Sequence, residues 1–102
     1  MKAKLIYSHF VKSDLKEIYD WYKKIDKNLW KQFTEEFYLK VNFIKESPLS
    51  FEVKYDNCRI LFLKKFPYGI HFKYDKKENL IEIFSVFHTS REPAYWKSRN
   101  FR

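Results

Sequence analysis

Apolar residues recur at two different periods in the two halves of the chain. Leu15, Ile18, Tyr19, Tyr22 and Ile25 are spaced three and four apart, which lines one face of an α-helix of about four turns. Ser13 is placed to cap that helix, and Asp14 and Glu17 fall in its first turn, where the helix dipole favours acids. Asp26-Lys27-Asn28 is the predicted break. A second stripe of Trp30, Phe33, Phe37, Val41 and Ile44, widened by Leu29 and Phe43, predicts a helix from Leu29 to Glu46. Pro48 ends it, because proline disfavours helical geometry in the residue before it. So short a break folds the two helices into an antiparallel hairpin.

The second half changes to strands. Asn57 to Leu63 is a run rich in apolar residues. Tyr68 to Asp75 alternates, with Ile70, Phe72 and Tyr74 on one side and His71, Lys73 and Asp75 on the other. Lys76-Lys77-Glu78-Asn79 is a polar turn, and Leu80 to His88 is a further strand. Pairing Asp75 with Leu80 sets Lys73 against Glu82, His71 against Phe84, Tyr74 against Ile81 and Phe72 against Ile83. Opposite charges then meet, and aromatic meets β-branched. Lys4 to Ser8 adds a short first strand.

The predicted order is β-α-α-β-β-β, an α+β fold in a single domain spanning residues 1–102. The helical hairpin covers one face of a small, mostly antiparallel sheet. The other face is expected to stay partly open and to carry His71, Lys73 and Glu82, with the tail leaving from its edge.

Composition narrows the chemistry. The chain has 102 residues and a net charge of +8, with residues 1–53 near neutral and residues 54–102 holding most of the excess. A basic half suggests a face that meets an anion: nucleic acid, an anionic membrane or an acidic protein segment. The single glycine, Gly69, excludes a phosphate-cradling loop and a dinucleotide fingerprint. No metal-ligand spacing and no nucleophile elbow appear, so neither a cofactor nor a metal is expected. Cys58 cannot form an intramolecular disulfide and reads as a buried hydrophobe. No run reaches the roughly 18 apolar residues of a membrane helix, and a cytoplasmic setting fits.

Several residues carry candidate chemistry, each with a plainer reading beside it. His88 titrates near neutrality and can move a proton in RNA cleavage; equally, it can hydrogen-bond the backbone of the turn after its strand. Arg91 suits a phosphate or carboxylate, or an internal pair with Glu92 or a helix acid. Trp96 can stack on a base or pin the tail to the body. Arg59 sits among apolar neighbours and needs a partner or an open face. Lys64 and Lys65 either bind an anion or solvate the Phe66-Pro67-Tyr68-Gly69 turn. His71 and Lys73 can extend a phosphate track on the open face. Arg99 and Arg102 read as frayed and solvated.

Taken together, the element order, Trp21-Tyr22, Arg59-Ile60-Leu61, Phe66-Pro67-Tyr68 and the ending from Val86 to Trp96 resemble the RelE/ParE superfamily of bacterial toxins over roughly residues 3–97. His88, Arg91, Glu92 and Pro93 fit its closing pattern, and the ending is more similar to the ParE branch. The resemblance implies a toxin of a type II toxin–antitoxin, plasmid-stabilisation-like module with a cognate antitoxin. ParE-like members poison DNA gyrase by binding. RelE-like members cleave mRNA on the ribosome, and in that case Arg59, His88 and Arg91 surround the scissile phosphate, with Lys64, Lys65, His71, Lys73 and Trp96 as binding residues. The chain lacks a catalytic-looking Tyr or His at its end, which favours the ParE-like reading. An acidic, amphipathic antitoxin segment is the expected occupant of the basic face, and a homodimer or a toxin–antitoxin hetero-oligomer are both open as assemblies.

Overall fold

The computed structural model describes residues 3–100; Arg102 and the outermost ends of the expected domain lie outside the described residues. The elements are β1 (Lys4–Tyr7), α1 (His9–Ile25), α2 (Lys27–Glu46), β2 (Val53–Tyr55), β3 (Cys58–Phe62), β4 (Tyr68–Asp75), β5 (Leu80–His88) and α3 (Pro93–Lys97), with short 3-10 turns at Pro48–Ser50 and Ser98–Asn100. The strands form one sheet in the order β1-β5-β4-β3-β2. Only β1 runs parallel to its neighbour, β5; every other pair is antiparallel. The α+β order is as the sequence predicts, with one strand more.

Helix α1 starts earlier than its apolar stripe suggests, because Ser8 and not Ser13 caps it. The Ser8 hydroxyl accepts from the Phe10 amide at 3.2 Å and donates to the Phe84 carbonyl at 2.6 Å. The cap therefore also ties the helix to β5. Ser13 lies within the helix and donates to the Phe10 carbonyl at 3.0 Å. A single residue joins the helices: the Asp26 amide closes α1 on the Tyr22 carbonyl at 2.9 Å, and its carboxylate accepts from the Asn28 amide at 2.9 Å.

The hairpin lays its stripe on one face of the sheet. Ile18 and Tyr22 of α1 and Phe33, Phe37, Val41 and Ile44 of α2 are buried against Leu61, Tyr68, Ile70, Phe72, Ile81 and Ile83. Burial here removes large aromatic and β-branched surface from water, the main drive for folding.

The β4–β5 pairing follows the expected register from Asp75↔Leu80 to Phe72↔Ile83 and then slips. A bulge sets His71 opposite Ser85 instead of Phe84. The extra residue on β5 lets Phe84 pack with Tyr55, Cys58 and Ile60 on the second face, a local re-aiming typical of bulges. The additional strand, β2, pairs with β3 through the two-residue turn Asp56-Asn57. Both turn residues have positive φ, 39° and 65°, the geometry of a tight I′ hairpin that Asp and Asn tolerate.

The second face is not open. The chain's own tail, α3 and the turn after it, lies across it. Trp96 packs against Tyr55 and His71 at ring distances of 5.4 and 5.0 Å, and Tyr95 packs against Phe87 at 5.2 Å. The expected open surface is corrected: its polar strand residues face a cover supplied from the end of the same chain.

Candidate functional site

Two regions hold the candidate residues. The first is a cleft of about 490 Å³ between α1 and the end of the sheet, lined by Glu17, Trp21, Tyr22, Tyr68, His88, Arg91 and Tyr95 among others. His88 enters it from the last position of β5. Its Nδ1 accepts the Ser90 amide at 3.0 Å and lies 2.8 Å from the Ser90 hydroxyl, so the ring organises the turn that follows. That turn is closed by the Arg91 amide donating to the His88 carbonyl at 3.0 Å. Arg91 then reaches back to α1: its guanidinium is 3.7 Å from Glu17 and lies 4.5 Å over the Tyr95 ring. Burial first, then the nearby Tyr22 and Glu17, pushes the Tyr68 hydroxyl up to about 12, against the opposing charge of Arg91, so it stays a neutral donor near neutrality.

Arg59 stands elsewhere. It projects from β3 toward the Phe51 carbonyl, which it binds through Nη1, and its Nε is buried with no hydrogen-bond partner among the described residues. Its strand partner Phe72 pairs with Ile83 of β5, roughly 15 Å along the sheet from His88 at a rise of ~3.3 Å per residue. The structure brings His88 and Arg91 into one cleft and leaves Arg59 outside it.

Lys64 and Lys65 are exposed, but the backbone that carries them is fixed. The buried Glu36 carboxylate of α2 accepts the Lys64 amide at 2.7 Å and the Lys65 amide at 3.1 Å. Glu36→Ala strands both donors and is expected to cost about 2 kcal/mol. Amide exchange checks this directly: Lys64 and Lys65 should lose protection while the core amides of β4 and β5 keep theirs. Unchanged exchange at both would contradict the clamp.

The second region lies under the tail. His71, expected on an open face, is 1% exposed and shares a 2.8 Å hydrogen bond with the Tyr55 hydroxyl. The alternation of β4 put it on the second face correctly; Trp96 then buries it. Lys73 is partly buried with its ammonium 4.4 Å over the Phe84 ring. Trp96 pins the tail, and its indole Nε1 is buried without a hydrogen-bond partner among the described residues, a deficit of about 1–3 kcal/mol. Arg99, expected to be frayed, is instead clasped. Its guanidinium donates to both Asp14 carboxylate oxygens at 2.8 and 2.9 Å and to the Ser85 hydroxyl at 3.0 Å. The rings of Phe10 and Phe87 flank it at 4.6 and 4.5 Å. Burial opposes the charged form of Arg99, but the hydrogen bonds and charge of Asp14 override it and hold the pKa above its ordinary value.

Residues 5–93 match the model of the ParE toxin of the type II toxin–antitoxin system parDE. The chain belongs to the ParE toxin family. No functionally curated protein matches the sequence of this ParE-family toxin. Its fold is shared with solved structures at low identity. The chromosomal ParDE toxin–antitoxin system of P. aeruginosa superimposes with a TM-score of 0.75 at 16% identity, over 87% of this chain and 98% of that one. The isolated E. coli RelE toxin gives a TM-score of 0.57 at 14% identity, over 96% of each chain. The archaeal RelE–RelB complex of Pyrococcus horikoshii gives 0.52 at 13%, over 90% and 100%.

Asp14, Tyr55 and Arg99 are the site residues of this ParE-family toxin that sequence patterning does not single out. The one local trace is that Asp14 sits between the apolar positions Val11 and Ile18 on the buried side of α1, where an acid needs a partner. The buried His71 has a measurable consequence. Burial, then the Arg99 charge, lowers its pKa from an ordinary 6.5 to about 3. Between those values the unfolded chain binds a proton that the folded chain refuses, so stability is complete above the unfolded value and falls as pH drops, by about 1.4 kcal/mol per pH unit. Urea midpoints measured across that window should fall steeply for the natural chain and less steeply for His71→Gln. Equal slopes would place the titration elsewhere.

Proposed function

We propose that the chain is a ParE-like toxin that binds and inhibits an essential cytoplasmic target such as DNA gyrase, and that a cognate antitoxin neutralises it. Its family is that of type II toxins, and the similar solved structures include toxin–antitoxin complexes. The observation that carries the binding reading over a catalytic one is the dispersal of the candidate set. Arg59 is turned to the Phe51 carbonyl, His88 holds its own turn, Arg91 faces Glu17, and His71 is sealed beneath Trp96. A metal-free ribonuclease needs an acid, a base and a phosphate-binding cation at one point.

A RelE-like nuclease is the second reading, favoured by one fact: His88 and Arg91 line the same cleft. In that reading His88 transfers the proton and Arg91 neutralises the phosphate. Purified protein separates the two. The expected result is inhibited supercoiling by gyrase and intact mRNA on translating ribosomes. Ribosome-dependent cleavage that disappears in His88→Ala would overturn the binding reading.

A further inference from the structure

We propose that the receptacle holding Trp96 and Arg99 is a binding site for a partner segment presenting an aromatic ring and a guanidinium three residues apart, and that the tail is its stand-in in the free chain. The inference does not depend on which target the toxin acts on.

The receptacle belongs to the body of the protein and not to the tail. Asp14 comes from α1 and is 7% exposed; Ser85 comes from β5 and is fully buried. One Asp14 oxygen is also held by the Val86 amide at 2.9 Å, so the carboxylate is oriented whether or not Arg99 is present. The Phe10 and Phe87 rings close the two faces of the slot, 4.6 and 4.5 Å from the guanidinium carbon. A planar, forked cation fits this arrangement and an ammonium does not, because both carboxylate oxygens and both ring faces are used at once. Beside it, Tyr55 and His71 make the floor on which an indole lies.

The tail fills this site incompletely. No residue of α3 is buried, and Trp96 reaches its place with an indole N–H that finds no partner. The floor is also polar: Asp14, His71 and Ser85 are all buried beneath a five-residue helix. A face built only to be covered would be apolar, since each buried polar group costs free energy unless paired. A ring and a guanidinium on another chain, with an acceptor for or no donor at the indole position, gain the same contacts without that defect.

The test uses the full-length chain carrying Trp96→Ala and Arg99→Ala and an acetylated peptide with the sequence of residues 93–99. Amide shifts of Ser85 and Val86 report occupancy. The expected result is saturable binding to the doubly substituted chain, at least tenfold weaker when the peptide's arginine is replaced by lysine, and at least tenfold weaker to the unsubstituted chain, whose own tail competes. No binding to the folded double variant, or equal binding of the lysine peptide, would overturn the proposal. Should the double variant fail to fold, excess peptide is added to the natural chain. The Trp96 indole resonance should then move toward its solvent-exposed position, and a resonance that stays put would overturn the proposal.

Discussion

Phe33→Ala is expected to destabilise the chain by about 3–5 kcal/mol, the largest effect of any single substitution described here. Phe33 is fully buried and meets five other rings. Trp30 and Phe37 stack with it at 5.6 and 6.0 Å, Phe66 and Tyr68 meet it edge-on at 5.5 and 5.7 Å, and Tyr22 lies tilted at 6.4 Å. Removing the ring opens a cavity at the one place where α1, α2 and the β3–β4 turn converge. The neighbours are large and fixed on different elements, so they cannot collapse into the space. Small domains are stable by only about 5–15 kcal/mol, so the loss brings the fold close to its threshold. Chemical denaturation measures it, and a loss below about 1 kcal/mol would mean that Phe33 is not the centre of the core.

Arg99→Ala is expected to cost about 2–3 kcal/mol, and more than Asp14→Asn. The two partners are not equivalent. Asp14 is fixed in α1, so losing Arg99 leaves a carboxylate whose only remaining donor is the Val86 amide, in a place where an unpaired charge is expensive. Arg99 sits in the tail, and without Asp14 it can swing to water. Lifting of the tail in Arg99→Ala admits water to Asp14, which keeps the cost below the 3–5 kcal/mol that a deeply buried broken pair can reach. Arg99→Lys should recover less than half of the loss, because a lysine cannot bridge both carboxylate oxygens. Urea unfolding of the three variants gives the order. Equal costs for Arg99→Ala and Asp14→Asn would mean that the tail does not move independently of the body.

Much of this architecture is legible along the chain because it rests on local periodicity. The stripe from Trp30 to Ile44 becomes the buried face of α2, and the alternation in Tyr68–Asp75 becomes a strand with the expected partners as far as Phe72. What escapes the sequence is what local periodicity does not encode. Strand β2 is three residues long, too short to alternate, although the Asp56-Asn57 pair was a usable turn signal. The bulge at Phe84 follows from how the second face packs. Asp14 and Arg99 are 85 positions apart, so Asp14 reads as an ordinary first-turn acid and Arg99 as a loose end. His71 was assigned to the correct face. Its burial was invisible because the cover is a five-residue helix without an apolar stripe.

The same distinction bears on function. A bare cationic sheet face is not what this toxin presents; the tail occupies that face and Asp14 takes up Arg99. The chemistry left accessible is the cleft of His88, Arg91 and Glu17 and the lysine pair held out by Glu36.

The most direct test is made in growing cells. After induction of the natural chain, the topology of a reporter plasmid and the 5′ ends of abundant mRNAs are followed together. Growth arrest with progressive loss of negative supercoiling and unchanged mRNA ends is the predicted result. Arrest with new mRNA ends inside coding regions and normal plasmid supercoiling would contradict it.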